Sequence, residues 1–258
     1  MNTPLFSCVV PVKGPRPYLD EALASLSMQG IGDSLEVIVQ DGDIEPDAGQ
    51  SDALNKGFAK AKGQWFFWLN ADDLLLPGAL KKVRCLTEAE GRVEWITGNQ
   101  LLIDGKGNVL KCSVGPGWHD WMYRHAVPHV YGPSSFFRCE LLERTGGFDT
   151  TLEYCMDWDL WIRFMRGGAR YKRLDAYLWA QRQWNGSKTQ RRVPPEELKK
   201  HWCEIRGMAK KNKFEMNHWG DSLSRIWRVL NGNIVRQLMD GIRFRGKGIR
   251  CIERDGLV

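Results

Sequence analysis

Along the first hundred residues, short apolar runs alternate with segments whose apolar positions recur every three or four residues. Phe6–Val12 is a β-branched run closed by Pro11 and Gly14, the pattern of a strand covered on both faces. Pro17–Gln29 places Leu19, Ala22, Leu23 and Leu26 on one helical face, with Pro17 suited to the first turn. Leu35–Val39 reads as a second buried strand, ended by Asp41-Gly42-Asp43. Ser51–Lys62 reads as a helix capped by Ser51, with Leu54, Phe58 and Ala61 inward and Asp52, Asn55 and Lys56 on the other side. Gln64–Leu69 is a third strand, followed at once by Asn70-Ala71-Asp72-Asp73, and a helix begins near Pro77. Strands alternating with helices predict an α/β fold, a mostly parallel sheet flanked by helices. Ligands of such sheets bind beyond the carboxyl ends of the strands, where Lys13, Asp41 and Asp72 fall.

The rest of the chain is less regular. Asp104–Asn108 is a turn between short strands, and Gly115–Pro133, rich in Gly, Pro, His and aromatics, reads as a long surface loop. Met156–Met165 is an amphipathic helix entered through Asp157. After Pro194-Pro195, two helices are expected near 196–211 and 221–239. The division this predicts is a catalytic body over 1–190 and a helical extension over 191–258.

Composition narrows the class. With 43% hydrophobic and 26% charged residues among 258, the chain is neither largely disordered nor a multi-span membrane protein. No apolar run approaches the roughly 20 residues that cross a bilayer. Met1–Pro4 lacks a basic start followed by an apolar stretch, so no secretion signal is read there. Seven cysteines without a C-x-x-C pair read as reduced thiols, which points to the cytoplasm and away from zinc. Charge is uneven: from Gly186 onward 17 Lys and Arg face 8 Asp and Glu, a balance of +9, whereas the preceding 185 residues carry −3. That basic extension, with Trp202, Phe214, Trp219, Trp227 and Phe244, suits an anionic membrane surface or packs onto the body. No nucleic-acid-binding signature accompanies it.

Asp72-Asp73, directly after a strand, is the sharpest chemical feature. Carboxylates at a strand end can bind Mg²⁺ or Mn²⁺ shared with substrate phosphates, and the bland alternative is a helix N-cap pair. Asp41 brings a second acidic group to the same crevice. His119, His125 and His129 fall in the Gly/Pro-rich segment, where Pro128 argues against helical metal spacing.

The segments Glu45-Pro46-Asp47-Ala48-Gly49-Gln50-Ser51-Asp52-Ala53-Leu54-Asn55-Lys56-Gly57, Ala61-Lys62-Gly63 and Leu69-Asn70-Ala71-Asp72-Asp73 resemble the signature of the family 2 glycosyltransferases. Gly146-Gly147-Phe148-Asp149, Asp157-Trp158-Asp159-Leu160-Trp161-Ile162-Arg163 and Arg182 with Gly186-Ser187-Lys188-Thr189 are similar to its later segments. The resemblance spans about Leu5 to Thr189 and implies the GT-A fold, a Rossmann-like sheet, with a C-terminal helical extension. It implies an inverting transfer from a nucleotide-diphosphate sugar, usually a UDP-sugar, to a glycan or lipid-linked acceptor in surface polysaccharide assembly at the cytoplasmic face, peripheral to the inner membrane. Asp41 would bond the base with Pro11 and Lys13 beside it. Asn70 would face the ribose, Asp72 would hold Mn²⁺ or Mg²⁺, and Asp73 would either support that group from behind or contact the sugar. Asp52, Asn55, Ala71 and Arg182 join the donor-binding set, and Asp157 would be the general base.

Three departures from the family pattern stand out. The helix and strand usually lying between the base-binding Asp and the EPD segment are missing, Lys13 replaces an aromatic, and Trp184 replaces a metal-binding His. Two rivals remain at this stage: a non-catalytic glycan- or membrane-binding protein on the same fold, and a nucleotidyltransferase.

Overall fold

The computed structural model describes residues 3–125, 130–187, 195–213 and 218–249. Its elements run β1 Phe6–Val12, α1 Leu19–Ser27, β2 Leu35–Asp41, α2 Gln50–Lys60, β3 Trp65–Trp68, β4 Leu74–Leu75, α3 Ala79–Ala89, β5 Trp95–Ile103, β6 Val109–Ser113, α4 Asp120–His125, β7 Ser135–Arg138, α5 Cys139–Thr145, α6 Met156–Arg166, β8 Tyr171–Arg182, α7 Pro195–Lys211, α8 His218–Leu230 and α9 Asn233–Phe244. The sheet order is β2-β1-β3-β7-β5-β8-β4, with β6 paired to β5. The half formed by β2, β1 and β3 is parallel. Beyond β3 the sheet is mixed: β7 runs antiparallel to both β3 and β5, and β5 and β8 are parallel.

The four residues of β3, Trp65-Phe66-Phe67-Trp68, are all buried because both faces of the sheet are covered. Phe66 and Trp68 enter one core with Leu54, Phe58 and Trp161 from α2 and α6. Trp65 and Phe67 enter another with Leu26, Leu80 and Val83 from α1 and α3. A fully buried side chain of this size contributes about 2–3 kcal/mol, so β3 anchors the two layers together. A third core under the far end of the sheet joins Leu101, Ile103, Val109 and Tyr177 to Phe244 of α9.

Three local expectations are corrected. The helix expected over 221–239 is two helices, α8 and α9, because Gly232 adopts a left-handed φ of 73° between them. The 115–133 segment is not a surface loop where it is described: Gly115, Pro116 and Gly117 are buried and α4 follows. Ser51 does not cap α2. The N-cap is Gly49, and the Ser51 hydroxyl bonds Leu152 O (3.1 Å) and Met156 Sδ (3.2 Å) instead. The Asp52 carboxylate takes over the local duty by accepting from Ala48 N at 3.0 Å.

The C-terminal helices lie on the body. Ile205 and Met208 of α7 are buried in the same core as Trp161, and Trp227 of α8 packs against it. No described helix is long and apolar enough to cross a membrane.

Candidate active site

An open cleft of about 360 Å³ lies beyond the carboxyl ends of β1 and β3. Its walls come from three sources: the turn after β1 (Pro11, Lys13, Arg16, Tyr18), the N-terminus of α2 (Gly49, Gln50) and the turn after β3 (Asn70 to Asp73). Arg182, Trp184 and Ser187, at and after the end of β8, close it. The positive end of α2 favours an anion there.

Of the residues singled out from sequence, Pro11, Lys13, Asn70, Ala71, Asp72, Asp73 and Arg182 line this cleft. Asp41, Asp52, Asn55 and Asp157 do not. Asp41 is bonded by Arg16, itself a lining residue, and accepts from Asp43 N at 3.0 Å. The Arg16 hydrogen bond, helped by the Asp43 amide, holds its carboxyl below the usual range. Asn55 donates to Phe148 O and accepts from Phe148 N, both at 2.8 Å, so it ties the Gly146-Gly147-Phe148 turn to α2. The shortened segment after Asp41 folds back tightly. Glu45 pairs with Lys60, Pro46 O accepts from Lys56 Nζ at 2.7 Å, and Asp47 receives Lys13. The Asp47 carboxylate lies where a Cβ on Gly42 would sit, so a larger residue there would displace it.

The turn bearing the two carboxylates is braced from below. Asp73 is 1% exposed and accepts from Arg182 N (2.9 Å) and the Asn70 amide (2.7 Å). Burial, then the neighbouring Asp72 charge, pushes its carboxyl up to about 8, against the pull of those two donors. The Arg182 side chain is equally buried. It donates to Asp72 O (2.9 Å), Gly105 O (3.1 Å) and Glu21 Oε2 (2.7 Å), and lies 4.2 Å from the Tyr18 ring centre. Arg182 is therefore committed to shaping the turn. Its partners are Glu21 and backbone carbonyls.

Asp72 itself accepts from Trp184 Nε1 at 2.9 Å, and the Trp184 ring meets Tyr18 edge-on at 5.3 Å. Sequence comparison marked Trp184 only as a lost histidine. Its indole N–H as an orienting donor for Asp72 had no sequence signal, because the two are 112 residues apart. Gln50 was likewise missed; it donates to Asn70 Oδ1 at 3.0 Å and links the helix end to the turn.

Asp157 lies near Trp68, the last residue of the same strand. Gly132 sits between its carboxylate and the Trp68 ring: a Cβ there would be 3.2 Å from Asp157 Oδ2 and 2.8 Å from Trp68. Asp157 accepts from Trp158 N at 2.8 Å. Burial raises its carboxyl to about 6, more than the Trp158 N–H and its own backbone N–H lower it. It is not an N-cap. Cys155 holds that position, and Glu204 of α7 binds the amides entering the helix: Glu153 N at 3.0 Å, Tyr154 N at 2.8 Å and Cys155 N at 3.3 Å. Ser51, next to the lining residue Gln50, touches Met156, next to Asp157, so the start of α2 connects the two carboxylate sites.

Among the described residues no group of three His, Cys, Asp or Glu gathers as a metal site. What the cleft offers is one accessible carboxylate, Asp72. That suits Mg²⁺ or Mn²⁺, which keep several waters and take other ligands from phosphate oxygens. His119 is engaged elsewhere, edge-on to the Trp227 ring with centroids 4.3 Å apart. His129, Lys188 and Thr189, with the side chain of His125, lie outside the described residues. Trp118 packs on Trp95 and Trp121 on Trp227, so both serve the interior.

Residues 43–93 match the family model described as glycosyl transferase family 2. The chain is 26% identical over 200 residues to an uncharacterized glycosyltransferase of Rickettsia prowazekii, covering 66% of this chain and 61% of that one. It thus spans about three fifths of that relative's length. An uncharacterized glycosyltransferase of Methanocaldococcus jannaschii is 24% identical over 239 residues, covering 78% and 81%. Among solved structures, S. aureus TarS 1-349 in complex with UDP-GlcNAc superposes with a TM-score of 0.58 at 17% identity, over 79% of this chain and 66% of that one. The mannosyltransferase PcManGT from Pyrobaculum calidifontis, in complex with GDP-Man and Mn²⁺, gives 0.54 at 20%, over 79% and 64%. These likenesses bear out the family 2 resemblance, and the fold is that of the GT-A transferases.

Proposed function

We propose that this chain, a family 2 glycosyltransferase by resemblance and fold, moves a sugar with inversion from a nucleotide-diphosphate donor, a UDP-sugar first among candidates. The observation that carries the reading is the placement of two carboxylates around one strand end. Asp72 follows β3 in a braced turn, and Asp157 lies across Gly132 from Trp68, its last residue.

The roles follow from those environments. The diphosphate lies against the α2 N-terminus and Lys13, where N–H dipoles and an ammonium offset its charge. Asp72 presents a carboxylate oriented by Trp184, and Asn70, held by Gln50, faces the ribose. Asp72 would hold a divalent cation, which would neutralise charge on a departing diphosphate. Asp157 takes the proton from the acceptor hydroxyl as that oxygen attacks the anomeric carbon. A carboxyl raised to about 6 is ionised at neutral pH yet basic enough for the task. Attack opposite the leaving group inverts the anomeric centre. The acceptor is proposed to be a glycan or lipid-linked glycan of surface polysaccharide at the cytoplasmic side of the membrane.

A panel of nucleotide sugars with and without Mn²⁺ tests this. Release of nucleoside diphosphate from one donor, dependent on Asp157, is the expected result. Pyrophosphate as product would replace the reading with nucleotidyl transfer. Donor binding without any release, to acceptor-supplied protein, would leave a glycan-binding protein on a transferase fold.

A further inference from the structure

The two last described helices are amphipathic the wrong way round for a soluble protein. In α9 the polar positions face the body. Asp240 accepts from the Tyr177 hydroxyl at 2.7 Å, Arg236 pairs with Asp175, and Gln237 bonds Val114 N and Arg228. The opposite stripe is Val235, Leu238, Met239 and Ile242, spaced i, i+3, i+4 and i+7, and Leu238 and Ile242 are 60% and 86% exposed. The same holds in α8: Ser224 and Trp227 turn inward, while Leu223, Ile226, Val229 and Leu230 face out. Eight large aliphatic side chains thus form one outward surface on a helical hairpin folded at Gly232. Isolated exposed apolar residues are ordinary, but a contiguous stripe on two packed helices marks a contact surface.

Charge identifies the partner. Residues 218–249 carry six Lys and Arg against two Asp. Arg225, Arg243, Arg245 and Lys247 are exposed, whereas Asp240 is spent on Tyr177 and Arg236. A second copy of the chain, meeting this face about a two-fold axis, would set cation against cation. A bilayer with anionic headgroups accepts both features, taking aliphatic side chains to the acyl boundary and pairing the arginines with phosphate.

We infer that the outer face of the α8–α9 hairpin is a docking surface for an anionic membrane, through its aliphatic stripes. This deepens the membrane-side acceptor proposed above and rests on that reading only for its purpose. The contact itself is read without donor or turnover, so either idea can fail alone. The hairpin rests on β6 and α4, and Trp227 touches His119 and Trp121, so docking would hold the catalytic body at a fixed attitude to the surface.

The test is co-sedimentation of the full chain with vesicles of phosphatidylglycerol and phosphatidylethanolamine, against pure phosphatidylcholine, over a salt series. Binding to the anionic vesicles that weakens as salt rises is expected. Leu238→Glu with Ile242→Glu should reduce the bound fraction about tenfold or more, and Arg225→Glu with Arg245→Glu should remove the salt-sensitive part. All four positions are exposed, so the unfolding midpoint should not move, and circular dichroism checks that. The inference is overturned if the wild-type chain ignores anionic vesicles at low salt, or if both double variants bind as it does. It is also overturned if Leu238→Glu with Ile242→Glu converts a dimer to a monomer without changing vesicle binding, which would assign the face to a second copy.

Discussion

The two carboxylate sites that flank the end of β3 are held by opposite means. On one side, Asp72 and Asp73 sit in a mesh of donors: Trp184 on Asp72, Asn70 and the Arg182 amide on Asp73, and the Arg182 guanidinium under the turn. On the other, Asp157 is buried near Trp68 and meets only the backbone N–H groups of Trp158 and of its own residue. The first arrangement orients the Asp72 carboxylate and fixes the turn, with Asp73 buried beneath it and pushed up to about 8. The second raises the cost of ionisation, which poises a group to exchange a proton near neutral pH. Two aspartates of identical chemistry thus acquire different work from their surroundings.

Substitutions can break this contrast. Asp157→Asn keeps the shape and removes the base; turnover should fall about 10³-fold, within the range for losing a general base, while a donor-induced rise in unfolding temperature persists. Asp72→Asn should lower turnover by about 10²-fold and flatten the response to added Mn²⁺, read as initial rate against metal concentration. If the two variants lose metal response equally, the division of labour is wrong. Arg182→Met leaves the Asp72 and Gly105 carbonyls and the Glu21 carboxylate without their guanidinium donor. A loss of about 2–4 kcal/mol by urea unfolding is expected.

Two finer tests sharpen the comparison. Glu204→Gln weakens the acceptor for the amides entering α6, so kcat should drop about tenfold with the donor KM unchanged, because Asp157 is displaced and the cleft is not. The smallest effect is in pH. The folded carboxyl of Asp157, at about 6, lies above its unfolded value of 3.8, so folding binds a proton between those values. Its stabilising contribution is complete below the unfolded value and is lost as pH rises through 6. The wild-type kcat/KM should climb across the same interval and level off above it, and Asp157→Asn should gain in unfolding temperature relative to wild type between pH 5 and pH 8. A profile flat from 5 to 8 would show that Asp157 is not the base.

What could be read beforehand follows the range of each interaction. The strand Trp65–Trp68 and the carboxylates just after it were legible because a four-residue apolar run and the turn leaving it are local. So was Asp157 at the start of an amphipathic helix. The role of Asn55 was not: its amide holds Phe148, 93 residues away, which places two signature segments in contact for packing reasons. Arg182 was read as a diphosphate contact, and only the fold turns it toward Glu21, 161 residues earlier. In the extension, composition announced cations and tryptophans, yet Phe244 is buried and Trp227 packs inward, leaving an aliphatic face that no count of aromatics would suggest.

By itself the amino-acid order determined the alternation of elements, the position of the acidic turn at a strand end and the basic character of the extension, since each depends on neighbours within a few residues. Only tertiary packing decided which acid is solvated by donors and which by hydrocarbon, that Trp184 orients Asp72, and that α8 and α9 turn their polar faces inward. Those outcomes depend on which distant groups share a low-dielectric interior, and burial and partner placement, not residue type, set the energy of a charge there.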